Sequence, residues 1–282
     1  MQEEIAMTES RFGLLIAALL LVPGPAAAAE PSLVKLTTPR GAQQAFILIK
    51  PDKPPTASVI LFAGGHGALQ LKSATTMGWG AGNFLVRSRD AFVAQGFTVA
   101  LVDAPSDQQS GMAATFRMAR EHGNDIGAVV AHLKKEANVP VWLIGTSMGT
   151  FSAAGAAIHG AKANGGAKAD GLVLTSTITR AKPQWKIAGS HPDGVASLAL
   201  DKVALPTFIL SHAKDGCDIT PAADAPKLQK RLKQAAKVEV KLLSGGSPPL
   251  SDPCEAKSEH GFLGIEDQAV GAIAQFIKAN GR

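Results

Sequence analysis

The sequence predicts an α/β fold: a mostly parallel, doubly wound sheet of about eight strands with helices on both faces. Three observations carry this. Short apolar runs of strand length alternate with longer segments of helical period from Val34 to Ala279. Several runs are apolar at nearly every position, as in Ser-Val-Ile-Leu-Phe-Ala (58–63) and Pro-Val-Trp-Leu-Ile (140–144). Such runs mark strands covered on both faces, as parallel strands are. No internal repeat and no linker divides the alternation, so residues 30–282 read as a single domain.

Composition narrows the function classes. Apolar residues make up 46% of the chain and charged residues 18%, which fits a globular protein with a large core. The net charge of +5 is modest and the lysines are scattered. Their one cluster, Lys227, Lys230, Arg231 and Lys233, reads as the solvated face of a helix. With no tyrosine and three tryptophans there is no stacking platform beside the basic residues, which argues against nucleic-acid binding.

The chain begins like an exported protein. Gly13 to Val22 is an apolar run too short to cross a bilayer, which needs about 20 residues. Pro23 and Pro25 follow, then Ala26 to Ala29. Small residues there suit signal peptidase, so residues 1–29 read as a signal peptide cleaved after Ala29. Glu3, Glu4 and Glu9 are unusual in such a leader; Met7 as initiator would remove two of them. The expected location is periplasmic or secreted, with no stable membrane insertion after cleavage. Two cysteines, Cys217 and Cys254, fit one disulfide in that compartment. They lack the Cys-x-x-Cys spacing of a zinc site.

The elements follow in order. Val34 to Thr38 and Ala45 to Lys50 are strands close enough across Arg40-Gly41 to form an antiparallel pair. Ser58 to Ala63 is a buried strand ending at Gly64-Gly65-His66-Gly67. Asn83 to Gln95 is helical, with Phe84, Leu85, Phe92 and Val93 inward and Gly96 as its stop. Thr98 to Val102 is a strand. Phe116 to Ala137 is a long amphipathic helix with Ile126, Val129, Val130 and Leu133 on its apolar face. Val139 to Ile144 is a strand, and Met148 to about Ala163 the helix after it. Leu172 to Leu174 and Thr207 to Ser211 are strands. Between these two, Ile178 to Leu205 is short and largely polar, with little room for a cap domain. Ala222 to Ala236 is a lysine-rich helix, Val238 to Leu243 the last strand and Gln268 to Ala279 the closing helix. Three helical histidines, His122, His132 and His159, read as solvated, and His212 as packed at a strand end.

The chemistry concentrates after Val139 to Ile144. That strand runs into Gly145-Thr-Ser147-Met-Gly149 and then into small residues. A strand turning sharply into a helix at a serine is a nucleophile elbow, and its flanking glycines relieve collisions where strand and helix meet. A serine hydroxyl needs a base within hydrogen-bond reach, and the base needs a carboxylate to fix its tautomer. Ligands on parallel sheets sit at the carboxyl ends of the strands. Two later strand ends supply the partners. His260 lies in Ser-Glu-His-Gly-Phe, and Asp215 follows Thr207 to Ser211, with Asp218 as the other candidate three residues on.

The order Ser147, Asp215, His260, the Gly-x-Ser-x-Gly and the His-Gly-Phe before the last helix resemble the α/β-hydrolase fold family across the mature chain. The resemblance is to its exported, lidless, esterase-like members. It implies a Ser147-Asp215-His260 triad, with Asp215 favoured as the nearer to its strand end. It implies an oxyanion hole made by the N–H of Met148 and by Gly64-Gly65-His66-Gly67, with Gly65 as the donor. It also places Cys217 and Cys254 at one edge of the sheet, where a bridge would tie the acid loop to the histidine loop. The implied activity is hydrolysis of a small-molecule ester, or an amide, through an acyl-enzyme, with no cofactor and no metal. Two alternatives are an exported serine peptidase of prolyl-oligopeptidase type and a non-catalytic binding protein on the same fold. The substrate pocket is expected from loops 66–82, 103–115 and 178–204.

Overall fold

A computed structural model describes residues 1, 30–160 and 166–281. Residues 2–29 of the leader expected at 1–29, and the end of the helix expected to reach Ala163, lie outside the described residues. Eight strands form one sheet in the order β1-β2-β4-β3-β5-β6-β7-β8. They are β1 (Ser32–Thr37), β2 (Gln43–Ile49), β3 (Ala57–Phe62), β4 (Phe97–Val102), β5 (Val141–Thr146), β6 (Gly171–Thr175), β7 (Thr207–His212) and β8 (Val238–Leu243). The opening hairpin is antiparallel, and β2 runs antiparallel to β4. Every pairing from β4 to β8 is parallel. The mostly parallel sheet expected from the apolar runs is therefore present.

The central strands β3, β4, β5, β6 and β7 are buried at every residue, which explains their lack of alternation. Their side chains still alternate between two cores. Ile60, Phe62 and Leu143 face one core with α4 (Arg120–Glu136) and α5 (Gly149–His159). Val59, Leu61, Trp142 and Ile144 face the other with α2 (Arg89–Ala94) and α7 (Glu266–Asn280). No helix among the described residues is long and apolar enough to cross a membrane.

Three helices differ from expectation. Asn83 to Gln95 is broken at Ser88 into α1 (Phe84–Arg87), capped by the Asn83 side chain, and α2. The stretch from Phe116 is broken at Ala119, whose extended backbone separates α3 (Ala114–Arg117) from α4. Close packing there tolerates no side chain: a Cβ on Gly155 would sit 2.6 Å from the Arg117 carbonyl oxygen. The lysine-rich helix is only α6 (Ala225–Arg231), because Leu232 leaves the helical region.

Two polarity readings also change. The segment 178–205 is not a polar cover. Ile178, Ile187, Val195, Leu198, Leu200 and Val203 are all buried in the core beneath α5 and α6. It adds only two 3-10 turns, Gly194–Ser197 and Leu200–Lys202, so no cap domain forms here. His122 is not solvated either. It is 1% exposed and lies edge-on to Phe62, with Phe116 alongside. His132 and His159 are half-buried, while His212 is buried and within 3.0 Å of the Gly245 carbonyl, as a packed residue would be.

Candidate active site

The elbow forms where the sequence places it. Ser147 sits between β5 and α5 with φ of 51°, a left-handed backbone that a serine adopts at a strain of about 1–3 kcal/mol. Its N–H donates to the Thr175 carbonyl at 3.1 Å, and its own carbonyl accepts from Thr150 N at 2.9 Å. The flanking glycines are there for space. A Cβ on Gly145 would lie 2.5 Å from the Gly149 oxygen, and one on Gly149 would lie 2.1 Å from the Phe62 oxygen. The end of β3 thus runs directly beneath the start of α5. The loop that leaves β3 also reaches the serine, since a Cβ on Gly64 would be 3.0 Å from Ser147 Cβ.

The structure brings Asp215 and His260 together. His260 Nδ1 is 3.0 Å from Asp215 Oδ2, and the Asp215 side chain is fully buried. Asp215 Oδ1 accepts from Cys217 N at 3.0 Å. Thr220 donates to Asp215 Oδ2 at 3.0 Å, with its oxygen 3.1 Å from His260 Nδ1. The carboxylate is thereby satisfied on both oxygens, and the imidazole is held through one nitrogen. Asp218, the rival acid, is exposed, and no hydrogen bond joins it to His260 among the described residues. It lies instead beside the bridge between Cys217 and Cys254, which is formed.

His260 is held from behind as well. Its N–H donates to Ser258 Oγ at 3.2 Å, and Ser176 donates to its carbonyl at 2.8 Å. Ser176 does so from a left-handed φ of 42° at the end of β6. The Nε2 atom of His260 is buried and has no hydrogen-bond partner among the described residues. Ser147 and His260 line one cavity of about 440 Å³ with Gly65, Trp79, Asn83 and Glu255.

The three loops expected to build a pocket divide between two cavities. The loop after β3 lines the first, through Gly65, Trp79 and Gly80. The other two loops line a second cavity of about 320 Å³, through Ala113 to Thr115 and Gln184 to Ile187. Met148, the residue after the serine, lies in the second. The loop carrying Trp79 is organised by Asp103, whose carboxylate accepts from the N–H groups of Leu69, Gln70 and Leu71 at 2.6, 3.1 and 2.9 Å. Trp79 packs on His66 with ring centroids 3.8 Å apart. Burial lowers the His66 pKa, and the nearby Arg117 charge adds to this against the pull of Asp103.

Sequence reasoning missed Thr220, Ser176, Trp79 and Arg117. Thr220 and Ser176 act through contacts across 40 and 84 residues, which no local pattern encodes. Arg117 is fully buried, a position from which arginine is usually excluded. The cysteines and Asp218 form the one close group of potential metal ligands among the described residues, and the disulfide occupies both sulfurs.

No family model and no curated protein matches the sequence. Solved structures do. The chain is similar to the Pyrococcus furiosus esterase Pf2001 at 14% identity and a TM-score of 0.61, covering 94% of this chain and 96% of that one. It is similar to dienelactone hydrolase from Anabaena variabilis at 12% identity and a TM-score of 0.54, covering 90% and 99%. It also matches dipeptidyl peptidase 4 from Porphyromonas gingivalis at 13% identity and a TM-score of 0.57, over 90% of this chain but 36% of that one. At such identities the likeness is one of fold: the chain has the α/β-hydrolase fold.

Proposed function

We propose that this protein is a serine hydrolase that cleaves a small-molecule ester through an acyl-enzyme. The observation that carries the reading is the state of His260. Its Nδ1 is engaged by a buried carboxylate, while its buried Nε2 is unpartnered and shares a cavity with a strained serine. Ser147 attacks the carbonyl carbon through Oγ, and His260 takes its proton on Nε2. Asp215 holds the tautomer and stabilises the imidazolium. The carbonyl oxygen becomes an oxyanion held by the N–H groups of Met148 and Gly65. On collapse the alcohol leaves with the proton from His260. Water then loses a proton to the same base and attacks the acyl-serine, which releases the acid and restores Ser147.

The likeness to esterases supports an ester as substrate. The likeness to a dipeptidyl peptidase favours a second reading, hydrolysis of a peptide bond. That protein is far longer, and this chain matches about a third of it. The bridge between Cys217 and Cys254 supports export, with residues 1–29 as the leader and 30–282 as the mature domain.

A fluorophosphonate probe tests the nucleophile. Wild-type protein should be labelled at Ser147, and Ser147→Ala should not be labelled. Labelling that survives Ser147→Ala would sink the reading. A panel of p-nitrophenyl esters and aminoacyl-anilides separates the two substrates. A protein that only binds ligands would hydrolyse neither above background.

A further inference from the structure

Arg117 is a buried cation without a counter-ion. It is 0% exposed, and no carboxylate pairs with it among the described residues. Burial alone lowers its pKa, to about 10, so it keeps its proton at neutral pH. An unpaired buried charge is unfavourable unless its donors are all used. Its donors go to one region. Nη2 donates to the Gly65 carbonyl at 3.0 Å, and Nη1 to the Ala63 carbonyl at 3.4 Å. Nη1 also donates to Ser152 Oγ on α5 at 3.2 Å, and Nε to the Met112 carbonyl at 3.2 Å. The space is fitted to the guanidinium: a Cβ on Gly67 would lie 2.2 Å from Nη2.

These bonds join the two places that would bind the oxyanion. Ala63 and Gly65 belong to the turn leaving β3, and Ser152 lies in α5, whose start carries the Met148 N–H. In a trans peptide the carbonyl and the next N–H point in opposite directions, and the described chain has no cis bond. Holding the Ala63 and Gly65 carbonyls on one guanidinium therefore directs the N–H groups of Gly64 and His66 away from it. It also fixes both ends of the Gly64–Gly65 peptide between them. The Gly65 N–H, the donor expected for the oxyanion, belongs to that middle peptide and is positioned by the bonds on either side of it.

We propose that Arg117 is a positioning residue that holds the Gly64-Gly65-His66 turn and the start of α5 in register as one oxyanion hole. This rests on the hydrolase reading above. The arginine touches no reacting atom. Its charge and its hydrogen bonds act through backbone donors whose value depends on being fixed before the reaction.

The test compares wild type, Arg117→Lys, Arg117→Met and Ser152→Ala on one p-nitrophenyl ester, with circular dichroism as the check on folding. Arg117→Met should lower kcat by about 10²-fold with KM little changed, the loss seen when oxyanion donors are disturbed. Arg117→Lys should recover part of it. A trifluoromethyl ketone, which forms an anionic tetrahedral adduct with the serine, should bind more weakly by the same factor. The product acid should bind as it does to wild type. A folded Arg117→Met with wild-type kcat overturns the proposal. So does a loss shared equally by the ketone and the product, which is the mark of general disruption. If Arg117→Met does not fold, Ser152→Ala decides: a several-fold fall in kcat at constant KM supports the proposal, and no change overturns it. A wild type that hydrolyses no ester and takes no fluorophosphonate fails the hydrolase reading itself.

Discussion

The proposed site has two halves built in different ways. The nucleophile half is local and continuous: β5, the elbow and α5 follow one another in sequence, and the end of β3 lies against them. Backbone crowding sets its geometry: a Cβ would come within 2.5 Å of backbone oxygen at Gly145 and within 2.1 Å at Gly149. The acid and histidine half is assembled across distance. Asp215 and His260 come from separate loops and are held by Thr220, Ser176, Ser258 and a disulfide. Added bulk in the first half should therefore show mainly in stability, and loss of a polar side chain in the second mainly in rate.

The largest effect expected is on rate, in the assembled half. Asp215→Asn leaves the shape intact but removes the charge that fixes the His260 tautomer. It should lower kcat by about 10⁴-fold, the scale seen for such a change in a serine triad. Asp218→Asn should leave kcat near wild type. Steady-state kinetics of the two variants sharpen the comparison, and equal losses would break it. The opposite pattern is expected at the elbow. Gly149→Ala forces a methyl group against the Phe62 carbonyl and should lower stability by about 3 kcal/mol or more, as severe overpacking does. Urea denaturation measures this. A variant as stable as wild type would show that β3 and α5 are free to separate.

Reduction of the disulfide should come next. The bridge spans 37 residues and ties the acid loop to the histidine loop. Chain entropy sets its contribution at about 4 kcal/mol, with less expected in practice. Reduction should lower the melting temperature and kcat together, because the bridge lies two residues from Asp215 and six from His260. Activity unchanged by dithiothreitol, with both thiols shown free by peptide mapping, would mean that the hydrogen bonds alone hold this half.

The same division explains what the sequence made legible. Buried parallel strands are visible as apolar runs, and the elbow is visible because its steric demand falls on adjacent residues. Asp215 and His260 could be named by their place after strands, since topology brings strand ends together. Thr220 and Ser176 could not, because their partners are set by how loops pack. The helix break at Ala119 escaped notice because no proline or glycine marks it; tertiary packing overrides local propensity there. His122 and Asp125 were within reach. They stand four residues before Ile126 and Val129, on the apolar face of α4, and both are buried. A polar residue in a helical stripe reads more easily as solvent-facing than as buried.

That missed histidine gives the smallest effect, and it tests the local half. His122 lies against Phe62, the last residue of β3 before the Gly64-Gly65-His66 turn. Burial, then the charges of Arg117 and Arg40, push its pKa down from 6.5 to about 3. The folded chain therefore keeps the ring neutral at a pH where the unfolded chain protonates it. The contribution to stability is complete above pH 6.5 and is lost as pH falls from there towards 3. The slope is about 1.4 kcal/mol per pH unit for one proton. Between pH 7 and pH 5 wild type should lose about 2 kcal/mol more than His122→Phe, which cannot take up that proton. Urea denaturation of the two proteins at both pH values measures the difference. Parallel losses would mean that acid acts elsewhere, on a histidine such as His66 or His159, each of which burial holds below its usual range. A difference of the expected size would locate the acid-sensitive point of the fold under the nucleophile half, beneath the turn that Arg117 holds.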